Sequence, residues 1–372
     1  MTRFGVIAAC LLTLLTGVMT FAESPLPLPD RLGVTHVAGR YHLTNDDFLN
    51  EGADQILTLG SRVIKIYLSL DPTKPPSRYY PFNTDWPNVD TLVELAQTKP
   101  YRAVFDKPFT TYILTVYRPG VSANYWVYKL TNEQKHAEKQ AIYELARHLL
   151  TTYRGTGKTF VIQHWEGDWS VRAGLKDKAV DPPAERFDRM AAWLAARQAG
   201  VDQARAQVAD TDVRVFCATE VNLVKIGMID ERPCVTNRVL PKVTLDLVSY
   251  SSYDTQQDPA LLRRALDYIA EHAPDREPFG ARNVYLGEFG LPENKVTAEK
   301  MQRVITGAID TAMDWGCPYI VYWQVYCNEP IREPVDANDD CRGFWLIRPD
   351  GSRSIAWSIL HNYLTEQTPQ PR

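Results

Sequence analysis

The chain predicts an α/β fold, specifically a single (β/α)8 TIM barrel, on three observations. Eight short runs rich in Val, Ile, Tyr or Phe recur along its 372 residues, with helix-like segments between them. No Gly/Ser linker or break in composition divides them, which argues for one unit. The glycine-rich first turn of an open doubly wound sheet, the alternative fold, is missing.

The elements follow in order. Residues 1–22 read as a signal peptide: Arg3 supplies the positive end, Val6 to Met19 the apolar stretch, and Thr20-Phe21-Ala22 the small residues before a cut. The apolar stretch is short for a transmembrane helix, and the run before Cys10 is too short for a lipoprotein box. A Pro-rich lead (23–31) precedes the barrel (32–364), and 365–372 reads as a disordered tail. The expected strands are Gly33–Gly39, Arg62–Leu68, Thr110–Tyr117, Thr159–Trp165, Val213–Thr219, Leu245–Tyr250, Asn283–Gly287 and Cys317–Gln324. Thr131 with Gln134 forms a capping box ahead of the apolar face Ile142, Leu145, Leu149 and Tyr153. Asp181-Pro182 and Asp258-Pro259 each place a cap before a first-turn proline. Thr297 opens a helix that Gly316 closes.

Composition narrows the function. With 45% apolar residues, and 41 basic against 45 acidic, the chain is neither disordered nor marked by the basic footprint of a nucleic-acid binder. Nine Trp and nineteen Tyr suit a site for flat, partly apolar ligands. Leaving Cys10 aside, five cysteines remain, and Cys327 with Cys341 flanks a polar loop that a disulfide would close. Cys217 with Cys234 is a weaker second pairing. These features agree with a secreted or periplasmic protein, with no stable membrane insertion once the leader is cut. They leave the oligomeric state open.

In a barrel of this class the site lies where strands end. The fourth strand runs out through His164-Trp165-Glu166-Gly167-Asp168-Trp169, and the seventh through Gly287-Glu288-Phe289-Gly290. Two carboxylates placed so can share a glycosidic bond, one as nucleophile and one as acid/base. The fifth strand adds Glu220 and Asn222. Trp165 and Trp169 stack on sugar rings or belong to the core.

With these residues the sequence resembles the clan A glycoside hydrolases, the retaining, cellulase-like barrel enzymes. The resemblance implies Glu166 as acid/base, Glu288 as nucleophile, and a carbohydrate substrate cleaved by double displacement without a cofactor or metal. It implies that Tyr250, or Tyr253 nearby, contacts the nucleophile, that Trp323 floors the sugar site, and that Lys65 stands where the family has an Arg beside the nucleophile. The tail Gly343-Phe344-Trp345-Leu346 also reads like the last loop of such enzymes. Two positions differ from the family: Trp165 replaces the Asn before the acid/base, and Lys65 replaces the Arg. His164 or Asn222 is then left to contact the sugar hydroxyl. Glu220 is a substrate contact or a partner for Lys65, with the acid/base role as its third option, and Asp168 supports the segment behind. Retention calls for nucleophile and acid/base carboxyls about 5–5.5 Å apart.

Two other function classes remain. A metal-dependent, phosphodiesterase-like hydrolase would draw on His36, His164, Glu166, Asp168 and Glu220, though no His-x-His spacing supports it. A non-catalytic carbohydrate-binding barrel would keep the aromatics without the chemistry. Gly155-Thr156-Gly157-Lys158-Thr159 precedes a strand rather than a helix, so it is no phosphate loop. Asp336, Asn338 and Asp340 lack the glycine of a calcium loop, since Cys341 stands there.

Overall fold

The computed structural model describes residues 26–177 and 179–366. Eight strands close in chain order into one barrel: β1 (Leu32–Thr35), β2 (Val63–Ser69), β3 (Thr111–Tyr117), β4 (Thr159–Gln163), β5 (Arg214–Val221), β6 (Leu247–Ser251), β7 (Val284–Phe289) and β8 (Ile320–Tyr322). All neighbours are parallel, and β8 returns to β1 with Leu32 opposite Ile320. The expected fold class is the observed one. Strand ends differ: β1 stops at Thr35, β4 at Gln163 and β8 at Tyr322, whereas β5 and β7 reach Val221 and Phe289. Glu220 and Glu288 therefore lie within strands.

Side chains alternate along a strand, so a period of two separates interior from exterior. Val63, Ile113, Val161, Phe216, Leu247 and Tyr285 belong to one closed apolar cluster inside the barrel. Burying such side chains is worth about 1.5–3 kcal/mol each and seals the lower interior. Two residues further along, or four on β5 past Ala218, the same faces present Lys65, Gln163, Glu220 and Ser249, and the interior turns polar toward the strands' carboxyl ends. A second, larger apolar cluster joins the outer strand faces to the helices.

The long helices are Phe48–Leu59, Asn132–Thr152, Ala184–Gln207, Pro259–His272, Ala298–Trp315 and Ile355–Glu366. Thr131 and Gln134 form the expected capping box, Asp258 and Thr297 cap their helices, and Gly316 ends its helix in the left-handed conformation. Asp181 does not cap: the helix starts later, at Ala184 after Pro183, and Asp181 pairs with Arg232 at 2.6 Å. From that helix the buried Arg197 pairs with Glu138 at 2.6 Å and donates to the Val116 and Gln163 carbonyls, pinning it to β3 and β4.

In the lead, Leu28–Asp30 forms a 3-10 turn, and Asp30 pairs with Arg62 at 2.6 Å and accepts the Thr110 hydroxyl. Those contacts hold it beneath the amino ends of β2 and β3, opposite the site. The last helix runs to Glu366, two residues into the segment read as a disordered tail. The signal peptide (1–22) lies outside the described residues. Among the described residues no helix is long and apolar enough to cross a membrane.

Candidate active site

Four ionisable side chains, Lys65, Glu166, Glu220 and Glu288, meet where the barrel interior turns polar. The Lys65 ammonium, wholly buried on β2, donates to Glu220 Oε1 at 2.7 Å, to Glu288 Oε1 at 2.9 Å and to the Gly287 carbonyl at 3.2 Å. Its three N–H groups are thereby used. Burial works against its charge, but Glu220 and Glu288 outweigh that and hold its pKa above the ordinary lysine value.

Regular alternation would send Glu288 out of the barrel, because Tyr285 faces inward. A register shift corrects this. Tyr250 pairs with Leu286, but the next residue, Ser251, pairs with Glu288, leaving Gly287 as an extra residue on β7. Such a bulge re-aims the following side chain. Only glycine fits there, since a Cβ on Gly287 would stand 1.7 Å from Ser249 Oγ.

Glu166 reaches the same place from the segment after β4. Its backbone is left-handed, with φ 30° and ψ 79°, a conformation a glutamate adopts only under local constraint. Two bonds supply that constraint: the Trp165 amide donates to the Tyr117 hydroxyl, and the Glu166 amide donates to Glu220 Oε2, both at 3.0 Å. The Glu166 carboxylate accepts the Ser251 hydroxyl at 2.6 Å.

The carboxylates differ in ionisation. Burial pushes Glu220 up, but Lys65, the Glu166 amide and Ser249 more than reverse it, so its pKa lies below the usual range. Burial raises Glu288 to about 7 against the pull of Lys65, with the charge of Glu220 adding to the rise. Burial and then the charge of Glu288 raise Glu166 further, well above the carboxylate range. Glu288 therefore ionises first, beside an ammonium, and Glu166 keeps its proton.

Other expected site residues fall into two groups. Trp165 and Trp323 line one cavity of about 240 Å³ together with Tyr67 and Tyr117. Its wall adjoins the carboxylates: Tyr67 feels the charge of Glu288, and Trp165 precedes Glu166. Tyr253 also sits in the field of the pair, with Glu288 and then Glu166 adding to the effect of burial on its hydroxyl. Tyr250 does not. Ser249 and Ser251 face inward, so Tyr250 between them faces outward and bonds Asp254 at 2.5 Å and Thr255 at 2.6 Å.

The remaining residues support the loops. His164 is buried, with Nε2 2.7 Å from Thr219 Oγ1 and its pKa pushed down to about 4 by burial, so it does not offer a hydroxyl contact. Asn222 accepts the Asp168 amide, and Asp168 accepts the amides of Val235 and Asn222 at 2.7 and 3.0 Å, tying three loops together. Trp169 lines a neighbouring cavity of about 220 Å³ with Leu223, Lys225 and Asp254, separate from Trp165. Among the described residues no group of three His, Cys, Asp or Glu is placed to hold a metal ion. His36, expected for such a site, bonds the Phe48 carbonyl at 2.7 Å and packs among Phe48, Tyr80 and Tyr326. Cys327 and Cys341 are free thiols rather than the expected bridge, although a hydrogen bond joins them, and Cys217 and Cys234 are free as well.

Sequence reasoning overlooked Ser251, Ser249 and Gln163. The period of two along β6 was the available signal for the two serines. Tyr67, Lys74 and Arg78 were also overlooked, and no spacing pattern marks them.

No protein-family model matches the chain, and no curated protein matches it by sequence. Solved structures do match in fold. A GH5_18 protein from Streptomyces cattleya in complex with GlcNAc superposes with a TM-score of 0.58 at 16% identity, over 94% of this chain and 83% of that one. The exo-beta-1,4-mannosidase Op5Man5 from Opitutaceae bacterium strain TAV5 gives 0.60 at 11% identity, over 91% of this chain but only 59% of its own. A GH5-4 broad specificity endoglucanase from Clostridium acetobutylicum gives 0.54 at 12%, over 90% and 97%. The chain thus has the barrel fold of family 5 (clan A) glycoside hydrolases.

Proposed function

We propose that this chain is a retaining glycoside hydrolase acting on a β-linked oligo- or polysaccharide. One observation carries the reading: two buried carboxyls meet in one site, Glu288 bonded to the Lys65 ammonium and Glu166 holding its proton to higher pH because of burial and then the charge of Glu288. That is the division of labour double displacement requires. The Glu288 carboxylate attacks the anomeric carbon as the bond to the leaving oxygen breaks, and Glu166 gives that oxygen its proton. A glycosyl ester on Glu288 results. Water then gives a proton to Glu166 and attacks the same carbon, releasing Glu288 and a product of retained configuration. Tyr253 and Trp323 position the sugar, and the mannosidase and endoglucanase among the structural neighbours suggest mannosides and glucosides as first substrates.

The test is covalent trapping. A 2-deoxy-2-fluoro glycoside with a good leaving group should add one sugar mass to the peptide carrying Glu288. In Glu288→Gln no adduct should form. Replacing Glu166 with Ala should cut hydrolysis of natural glycans by about 10²–10⁴-fold, and far less for aryl glycosides that leave unaided. A label on another carboxylate, or an inverted product, would overturn the assignment.

The same proposal includes export through residues 1–22 and closure of the Cys327–Cys341 pair in an oxidising compartment. The two thiols would pass two electrons and two protons to an oxidised dithiol catalyst. Both are buried in the loop that follows Trp323, and Cys327 is held at about 7 by its hydrogen bond with Cys341. Mass spectrometry of exported protein should find the two peptides linked. Free thiols there would exclude the bridge.

A further inference from the structure

We propose that the cleft is built for a glycan carrying a negative group, a carboxylate or a sulfate ester, held by Lys74 and Arg78 on a sugar seated against Trp165. The proposal rests on the glycoside hydrolase reading and names its substrate class. The cavity beside the carboxylates is lined by three cations, Arg40, Lys74 and Arg78, and by no carboxylate. The chain as a whole carries a formal charge of −4, so this concentration runs against its own balance.

Two of the cations have no carboxylate partner. Among the described residues neither Lys74 nor Arg78 has a carboxylate within 4.0 Å, and Arg40 meets Glu333 only at 3.7 Å. The nearest acidic residue in sequence, Asp71, is fully used: one oxygen accepts the amide and hydroxyl of Thr73, the other the amide of Ala123. They do not pair with the reacting carboxyls either: Glu288 bonds Lys65, and Glu166 bonds the Ser251 hydroxyl.

Their placement fits a ligand. Lys74 sits in a tight turn, its amide donating to the Asp71 carbonyl at 2.9 Å and its carbonyl accepting the Ser69 hydroxyl at 3.0 Å. From there its ammonium stands 6.0 Å from the centroid of the Trp165 ring. The ammonium lies over that ring, so an anion met by Lys74 sits against Trp165, next to Glu166. Asn328 lines the same cavity with a buried side-chain oxygen that has no partner, an acceptor left for a sugar hydroxyl.

The experiment measures binding to the intact chain by calorimetry, at low and high salt. The four probes are an alginate tetrasaccharide, a κ-carrageenan tetrasaccharide, which carries sulfate but no carboxylate, mannotetraose and cellotetraose. At least one charged probe should bind about tenfold or more tightly than both neutral ones, as charge-assisted hydrogen bonds imply. The preference should shrink with salt. It should collapse in the double variant Lys74→Met/Arg78→Met, with the melting temperature checked to confirm folding. Binding of alginate alone identifies a carboxylate, and of the sulfated probe alone a sulfate. Equal or tighter binding of the neutral probes, no binding of either charged probe, or a preference that survives in the double variant overturns the proposal. Charged probes bound selectively but never cut would instead count against the hydrolase reading.

Discussion

Lys65 and Glu220 stand 2.7 Å apart with neither side chain reaching solvent, on strands β2 and β5. Both oxygens of Glu220 are engaged. Its Oε1 accepts Lys65, Ser249 and, at 3.3 Å, Gln163, while its Oε2 accepts the amide of Glu166. It fixes the ammonium that serves Glu288 and the backbone that carries Glu166.

Replacing Glu220 with Gln should therefore act on stability and on titration together. Breaking a buried pair from one side typically costs about 3–5 kcal/mol, read here by denaturant unfolding. With the charge of Glu220 gone, Lys65 serves Glu288 alone, so the acid limb of kcat/KM should move to lower pH. An unshifted limb in a folded variant would remove Glu220 from this circuit.

The pH profile of kcat/KM should be bell-shaped. Activity needs Glu288 ionised and Glu166 protonated, so it rises with pH through about 7, where Glu288 titrates. It falls again at higher pH as Glu166 loses its proton. The fall should vanish in Glu166→Gln assayed with an activated aryl glycoside. An acid limb near 4.5 would contradict the buried environment of Glu288.

Stability should follow the opposite course. The unfolded chain releases these carboxyl protons near the ordinary value of 4.5, whereas the folded protein keeps that of Glu288 to about 7 and that of Glu166 higher. Between those values the folded state binds more protons, so its stability falls as pH rises from about 4.5 through 7. Glu166→Gln removes one such group, and its gain in melting temperature over wild type should be larger at pH 8 than at pH 5. An equal change at both would refute this linkage.

The two tyrosines in and just after β6 separate cleanly. Tyr253→Phe should lower kcat by about tenfold, the worth of one hydrogen bond to a charged group. Tyr250→Phe removes bonds to Asp254 and Thr255 on the outer face and should cost about 1 kcal/mol of stability while leaving kcat within about twofold. The reverse ranking would place Tyr250 at the sugar.

What could be read from the sequence follows from these same residues. The eight strands were legible because buried parallel strands are apolar over their whole length. Glu166 and Glu288 stood out because each interrupts an apolar run beside glycine. Tyr250 misled because resemblance favoured an aromatic at that place, while alternation assigns the interior to Ser249 and Ser251. The bulge at Gly287 was illegible, since a single glycine does not declare whether it adds a residue to the register. Asp181 looked like a cap, but two prolines follow it and the helix starts after the second. Arg40, Lys74 and Arg78 come from the segments after β1 and β2, and only folding brings them to one wall.

The polar layer also bears on how such a barrel can be assembled from parts. Strands β1–β4 contribute the ammonium of Lys65, and β5–β8 contribute the Glu220 and Glu288 carboxylates that balance it. Two copies of the second half, joined as a duplicated gene would join them, would bring four carboxylates to the axis and no cation to meet them. Two copies of the first would bring two ammonium groups without those partners. The halves of this molecule are lock and key to one another, and neither is a module that could be doubled to rebuild the whole.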